Sequence, residues 1–561
     1  MDYAKLAELL FPDVHETPAD VEKKYPPRAL PQDAKVTRFA PSPTGFVHLG
    51  GLYQTIVGER LAHQSGGVFF LRIEDTDDKR VIKGAAQKLI STLAHYGINF
   101  DEGAVIGEDG EIAYKGEYGP YKQSERGPIY RVYAKDLVRR GLAYPVFTTR
   151  EELESLNASD KKAEVKSREW TEEFAEQQKE EMLARRVFTL KEVKEHLKNG
   201  DPFVLRVLAS GDGERKVKCF DLIRGELELP ENDRDEIILK SNGIPPYHFA
   251  HAVDDHLMGT THVIRGEEWL ASLPLHLQLF SYLGFKTPKY MHTAQVMSLD
   301  ANGNKKKLSK RDMGASMDDY TRLGYAPEAV REYLLTVLNS NYEEWRSKNP
   351  DSPYTDFQFS IKKMSNSGCL IDFEKLEDIS KNVLSRMTAE QIYSGALEWS
   401  RVYDPGFASL LEADKEKAIA VFSIGRGGKK PRKDFGRWSE VRPFVSFFYK
   451  ELFKVEDAIE GFDKADIKSC LADFAGNYDE NDDQNTWFEK IKQIAAKNGF
   501  CPDMKLYKAD PSAYKGSVAD VSSFIRVAVT GRLNSPDLFT VMNILGKAET
   551  IDRINSFKES L

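Results

Sequence analysis

The spacing of apolar positions changes several times along this chain, and each change marks a boundary. "KVTRFA", residues 35–40, reads as a short strand, and the glycine-rich turn "PSPTGFVHLGG" follows it. Leu52, Ile56, Val57 and Leu61 then recur at helical spacing, and the unbroken apolar run in "GVFFLRIEDTD" suits a parallel strand buried on both faces. Strand, turn, helix and strand make a βαβ unit of a doubly wound fold. Its functional residues are expected at the carboxyl ends of the strands, where Arg38, Ser42, Glu74 and Asp77 fall. Between residues 125 and 247 the pattern shifts to charged helices such as "EEFAEQQKEEMLARR" and short strands such as "DPFVLRVLAS", which predicts an inserted α+β domain. Alternation resumes beyond it, with "THVIRG" as a later strand carrying Arg265. The expected division is an N-terminal extension over 1–34, a split Rossmann-like α/β domain over 36–124 and 248–300, the insert over 125–247, a lysine-dense loop region over 301–375, and an α-helical region over 376–561.

Composition narrows the classes. The 561 residues are 41% hydrophobic and 30% charged, with a mean hydropathy of −0.49. No apolar run approaches the roughly 20 residues that a membrane helix needs. No membrane partner is expected. The start, "MDYAKLAELLFPDVHETPAD", is acidic and lacks a long apolar stretch, so a cytoplasmic setting is the expectation. Cys219, Cys369, Cys470 and Cys501 are far apart and form no Cys/His ligand pattern, so neither a disulfide framework nor a structural zinc or other metal site is expected. A net charge of −9 excludes a uniformly basic nucleic-acid coat but leaves room for a local basic face.

Two stretches carry the chemistry. A glycine-rich turn opening a helix lets an anion approach bare backbone N–H groups and the positive end of the helix dipole, with His48 at the mouth. Taken alone it fits a tight βα connection equally well. "KKLSKR", taken alone, fits a solvated surface run. Together, with H-x-G-x in the first βα turn and K-x-S-K in a loop after the last strand of a split doubly wound domain, they resemble the class I aminoacyl-tRNA synthetases. "RFAPSPTG", "FLRIEDTD", "YHFAHAVDDHLMG", "HVIRGEEW" and "KLSKR" stand in the order seen in glutamyl-tRNA synthetases of bacterial type. The similarity runs from about residue 36 to the end. Glutaminyl relatives typically carry a "PPEPNG" type of turn where this chain has "PSPTG".

The resemblance implies an ATP-dependent ligase that forms glutamyl-adenylate, releases pyrophosphate and passes the acyl group to the terminal adenosine of tRNA. Such chemistry needs positioning and charge neutralisation more than covalent catalysis. His48, Lys307, Ser309 and Lys310 are the expected catalytic set. Gly50, Gly51, Glu268 and Trp269 join His48, Lys307 and Lys310 around ATP, which brings Mg²⁺ with it. Arg38, Ser42, Glu74, Tyr247, His251 and Arg265 are expected around L-glutamate, with Arg38 facing the side-chain carboxylate. His251 departs from the family pattern, which has asparagine in many members. For either arginine the alternative is a structural ion pair with a carboxylate such as Asp75 or Glu267, and for Trp269 it is a place in the core. The insert is expected to bind the acceptor stem and the helical region the anticodon.

"GRGGKKPRKDFGR", residues 425–437, concentrates cations among glycines. It reads either as a solvated loop or, on this scaffold, as a contact for tRNA through Arg426, Lys429, Lys430 and Arg432, with Phe435 and Trp438 near unstacked bases. Arg432 follows Pro431 and is the candidate for reading a base edge. The expected partners are glutamate tRNA, with glutamine tRNA left open, and the protein is expected to be a monomer. The competing readings are a glutaminyl-tRNA synthetase, disfavoured by the guanidinium of Arg38, and an inactive tRNA-binding homologue, disfavoured by His48 standing together with Lys307, Ser309 and Lys310.

Overall fold

The strands run in chain order as β1 (Val36–Phe39), β2 (Val68–Leu71), β3 (Glu102–Ile106), β4 (Ile112–Lys115), β5 (Ala143–Phe147), β6 (Phe203–Val207), β7 (Lys216–Asp221), β8 (Gly225–Pro230), β9 (Ile237–Leu239), β10 (His262–Gly266), β11 (Lys289–Thr293), β12 (Val296–Leu299), β13 (Lys305–Lys307) and β14 (Cys369–Leu370). The structure is a computed structural model and describes the chain apart from residues 44, 78–80, 149–179, 181, 301, 310–311, 367 and 429. Most of "EEFAEQQKEEMLARR" therefore lies outside the described residues. The chain divides into two units, Met1–Asp319 with Leu334–Ile371, and Tyr320–Tyr333 with Asp372–Leu561.

In the first unit β1, β2 and β3 run parallel and β4 closes the edge antiparallel to β3. β10 lies on the other side of β1, where the Thr261 N–H donates to the Val36 carbonyl at 3.0 Å and the Val36 N–H donates to Thr261 Oγ1 at 2.8 Å. β11 runs parallel to β10. The strand order therefore reverses between β1 and β10, and the crevice outside their carboxyl ends is where a doubly wound sheet binds ligands. Val36–Arg38 and Phe69–Leu71 are buried along their length, as strands covered on both faces are, and the second run is apolar throughout. The helix Leu49–Gln64 covers one of these faces with Leu52, Ile56, Val57 and Leu61.

Two features differ from the sequence reading. β7 belongs by position to the insert, yet it pairs in parallel with β11 at Asp221 and Tyr290 and returns to the main sheet. Its burial alternates, like that of a half-exposed edge strand, so its sequence carries no mark of the sheet it joins. Residues 1–34 are no loose extension: Leu6, Ala7, Leu10, Phe11 and Val21 are buried in one core with the helices Gly127–Arg139 and Tyr247–Leu257. Arg28 anchors the proline-broken stretch, pairing with Glu102 at 2.7 and 2.9 Å, donating to the Met258 carbonyl at 2.8 Å and stacking 3.8 Å over Tyr118. The rest of the insert is α+β, with β5, β6 and β9 antiparallel beside the helix Leu190–Asn199.

The second unit is helical, with no strand among the described residues after Leu370. Its helices start on short acceptors, Asp372, Thr388, Asp404, Asp414, Asp463 and Asp483, each accepting a backbone N–H of the first turn. No helix among the described residues is long and apolar enough to cross a membrane.

Candidate active site

Two adjoining cavities open at the strand-order reversal, one of about 770 Å³ and one of about 690 Å³, and both are lined by Phe39, Ala40, Ser42 and Gln54. The first gathers Arg38 from the end of β1, Glu74 beyond β2, Tyr247 from the first turn of its helix, and Arg265 with Trp269 at and after the end of β10. The second gathers His48, Gly50 and Gly51 from the turn, Glu268, and Lys307 with Ser309 from the lysine-dense loop. Residues spread over more than 270 positions in sequence are thus brought to one crevice by the crossovers of the sheet. Lys310 lies outside the described residues.

The floor of the first cavity is a buried ionic network. Arg38 Nε sits 3.2 Å from Asp255 Oδ1, and its Nη1 donates to the Ile264 carbonyl at 3.3 Å. Arg72, fully buried, donates to Asp255 Oδ1 at 2.7 Å and to Glu74 Oε1 at 3.0 Å. Asp254, beside it on the same helix, accepts from Arg126 at 2.7 Å, Tyr130 at 2.7 Å and Gln123 at 2.9 Å. So Arg38 does have a structural partner, but it is Asp255. Asp75 is bonded instead to Ser124 at 2.7 and 2.8 Å, and Glu267 pairs with Arg224. Among the described residues Arg38 Nη2 has no such partner and is left to the cavity. The two arginine charges hold Asp255 well below the usual carboxylate range against burial that pushes the other way. Burial dominates at Glu74 and pushes its carboxyl up to about 7, with Arg72 and Arg38 opposing.

Arg265 is built differently. No carboxylate among the described residues pairs with it; Nε donates to His292 Nε2 and Nη1 to His276 Nδ1, each at 2.9 Å, and the guanidinium lies 4.7 Å from the centre of the Tyr290 ring. Tyr247 and Trp269 stand 4.4 Å apart, centre to centre, on the wall of this cavity. Trp269 is half-buried and lines the first cavity with Arg38 and Glu74, so it is neither a core residue nor on the His48 side where a contact with ATP was expected. His251 needs a correction too. It is fully buried and lines neither cavity, because its ring stacks under Tyr247, its Nε2 sits 3.0 Å from the Tyr290 hydroxyl and its Nδ1 2.6 Å from Asp255. Burial lowers it to about 3, so it is a neutral prop of the floor.

In the second cavity His48 is the N-cap residue of the helix Leu49–Gln64, and its side chain makes no cap bond to that helix. A Cβ added at Gly50 would meet only Val296, at 3.8 Å, and one at Gly51 only ordinary contacts beginning at 3.5 Å. Protein packing does not require these glycines, and a bare backbone at the start of a helix gives an anion room to approach. Within "KKLSKR", Lys306 is tied to Asp312 at 2.7 Å and the Ser309 N–H to Asp312 at 2.8 Å, a turn that holds Lys307 and Ser309 on the cavity wall.

Away from the cavities, the basic loop of the second unit is largely internally satisfied. Arg432 forks onto Asp434 at 2.7 and 2.9 Å, and Arg426 donates to the Leu384 carbonyl at 2.6 Å. Phe435 and Trp438 are 4% and 7% exposed, which removes them from base stacking. These readings are corrected: the loop was read as cations among glycines, while Asp434 within it neutralises the arginine held most rigidly. Lys430 and Lys433 are exposed, and Lys429 lies outside the described residues.

A doubly wound sheet with a nucleotide-sized cradle at its switch point and a split halfway matches a known catalytic domain. The model for "tRNA synthetases class I (E and Q), catalytic domain" covers residues 35–367, and that for "Anticodon binding domain" covers 513–558 in the helical unit. Curated relatives include a glutamate–tRNA ligase of Acetivibrio thermocellus, 48% identical over 99% of both chains, and one of Clostridium perfringens, 44% identical over 99% of this chain and 100% of the relative. A solved structure of a glutamate tRNA ligase from Elizabethkingia meningosepticum, in complex with its amino acid, matches with a TM-score of 0.68 at 26% identity over 94% of this chain and 99% of that one. The chain belongs to the glutamate–tRNA ligase family of class I tRNA synthetases.

Proposed function

We propose that this protein joins L-glutamate to the 3′ end of tRNA at the expense of ATP, and that the two adjoining cavities hold the two small substrates. The observation that carries the reading is their shared wall at Phe39, Ala40, Ser42 and Gln54, which sets a carboxylate-binding space against a phosphate-binding one. Arg265 and the cavity-facing Nη2 of Arg38 bind the carboxylates of glutamate, and Glu74 accepts its ammonium. The α-carboxylate then attacks the α-phosphorus of ATP and pyrophosphate leaves. His48, Lys307 and Lys310 meet the charge that grows on the phosphates, Gly50 and Gly51 admit them to the helix N-terminus, and Mg²⁺ arrives with the nucleotide. Transfer to the ribose hydroxyl of tRNA follows. The test is purified protein with ATP, Mg²⁺, glutamate and separated glutamate and glutamine tRNAs. Acid-precipitable, base-labile glutamyl-tRNA on glutamate tRNA is the expected product. Its absence with both tRNAs overturns the reading, and the ratio between them gives the enzyme's choice of acceptor.

A further inference from the structure

We infer that His276 and His292 are positioning residues for glutamate: two neutral imidazoles, fixed by His248 and Asp221, which aim Arg265 at the substrate without discharging it. The inference rests on the assignment of Arg265 to a glutamate carboxylate. A buried arginine ordinarily keeps its charge beside a carboxylate, as Arg38 and Arg72 do at Asp255. Such a pairing orients the fork and at the same time neutralises it. Arg265 is only 4% exposed, yet two of its donors end on ring nitrogens.

The protons on those rings follow from the donors. A guanidinium only donates, so His292 Nε2 and His276 Nδ1 must both be lone pairs. His292 therefore carries its proton on Nδ1, which faces Asp221 Oδ2 at 2.7 Å, and the His292 backbone N–H donates to the same oxygen at 2.9 Å. The other oxygen of Asp221 accepts the Ile223 and Arg224 N–H groups at 2.9 Å, so this carboxylate cannot turn toward Arg265. His276 carries its proton on Nε2 and donates to His248 Nδ1 at 2.9 Å. Burial lowers His276 and His292, and His248 goes down to about 4, so all three remain neutral acceptors or relays at working pH. The return of β7 to the main sheet has its use here, because Asp221 is the strand's last residue and pairs with Tyr290, two positions before His292. The result is an oriented cation, faced by the Tyr290 ring and paired with no carboxylate among the described residues, on the wall of the first cavity. Its electrostatic demand is met when the substrate's carboxylate enters.

The experiment compares acidic, amide and truncated replacements in full-length protein, with tRNA and Mg²⁺ present, following KM for glutamate, KM for ATP and thermal midpoint together. His276→Asp and His292→Glu supply carboxylates that pair with Arg265. Each is expected to raise KM for glutamate about tenfold or more, with KM for ATP within about twofold and a thermal midpoint unchanged or higher. His276→Asn and His292→Gln keep a neutral acceptor and are expected to stay within about threefold of wild type. A purely packing role predicts the reverse, with every replacement damaging both KM values and stability alike; that outcome, or an unchanged glutamate KM in a folded acidic variant, overturns the inference. Arg265→Gln separates the two levels. If it leaves KM for glutamate untouched, the assignment of Arg265 itself fails. If it raises KM while the histidine variants do not, only the positioning role fails.

Discussion

At the scale of single residues, the sequence pointed to several side chains that line the two cavities and hid what holds them. Arg38, Glu74 and Arg265 are legible because strand ends in a doubly wound sheet point at the crevice, whereas Tyr247, on a helix, was named only through the resemblance. Asp254 and Asp255 were not singled out, because their partners Arg126, Arg72 and Arg38 lie more than a hundred residues away and no local spacing reveals them. Asp255→Asn leaves Arg38 and Arg72 buried beside a neutral amide, and should destabilise the protein by about 3–5 kcal/mol, read as a lower thermal or denaturant midpoint. Glu74 gives a pH signature. Burial holds its carboxyl up at about 7, above its unfolded value, so the protonated form prevails below that pH and cannot receive an ammonium. Binding glutamate must then release a proton. KM for glutamate should fall as pH rises through about 6 to 7 and level off above, by up to about tenfold per unit. Glu74→Gln should raise KM and flatten this profile; a slope unchanged in the variant would assign the titration to another group.

At the scale of elements, a glycine's meaning depends on what its missing Cβ would strike. Gly58 and Gly67 are needed by the fold, since a Cβ there would come within 2.9 Å of Phe69 and 2.0 Å of the Lys35 carbonyl. Gly50 has no such neighbour, and it sits in the first turn of the helix Leu49–Gln64. Gly50→Ala should therefore leave stability unchanged or raise it by up to about 1 kcal/mol through helix propensity, while KM for ATP rises. Loss of stability with normal ATP kinetics would return the turn to an ordinary βα connection. The stretches read as strands at 35–40, 67–77 and 261–266 contain β1, β2 and β10, and the region read as helical beyond residue 376 was given no individual helices. The place of β7 was missed because pairing decided it: β7 alternates like any edge strand and its parallel partner β11 lies about 70 residues further on.

At the scale of the whole molecule, an acidic protein of net charge −9 must meet a polyanion through local cations. Counting arginines and lysines in residues 425–437 overstates what is available, because Arg426 and Arg432 are already bonded within the second unit and Arg437 is held by Glu377 at 3.3 Å and by Glu440. The exposed cations among the described residues of this loop are Lys430 and Lys433. The tRNA contact proposed for the loop then falls to ammonium groups, which contribute point charge without reading base edges. Lys430→Gln with Lys433→Gln should weaken tRNA binding by a similar factor for glutamate tRNA and for an anticodon mutant. Each lysine that met a phosphate should also lower the magnitude of the salt slope by about 0.7–0.9. Arg432→Ala should behave otherwise, lowering the midpoint of unfolding through the lost Asp434 pair while leaving the slope in place. The measurement is Kd by filter binding at two or more salt concentrations for the wild type and both variants. A slope that Arg432→Ala flattens would show the Asp434 pair opening onto the phosphates. A slope unmoved by the double lysine variant would take tRNA off this loop altogether.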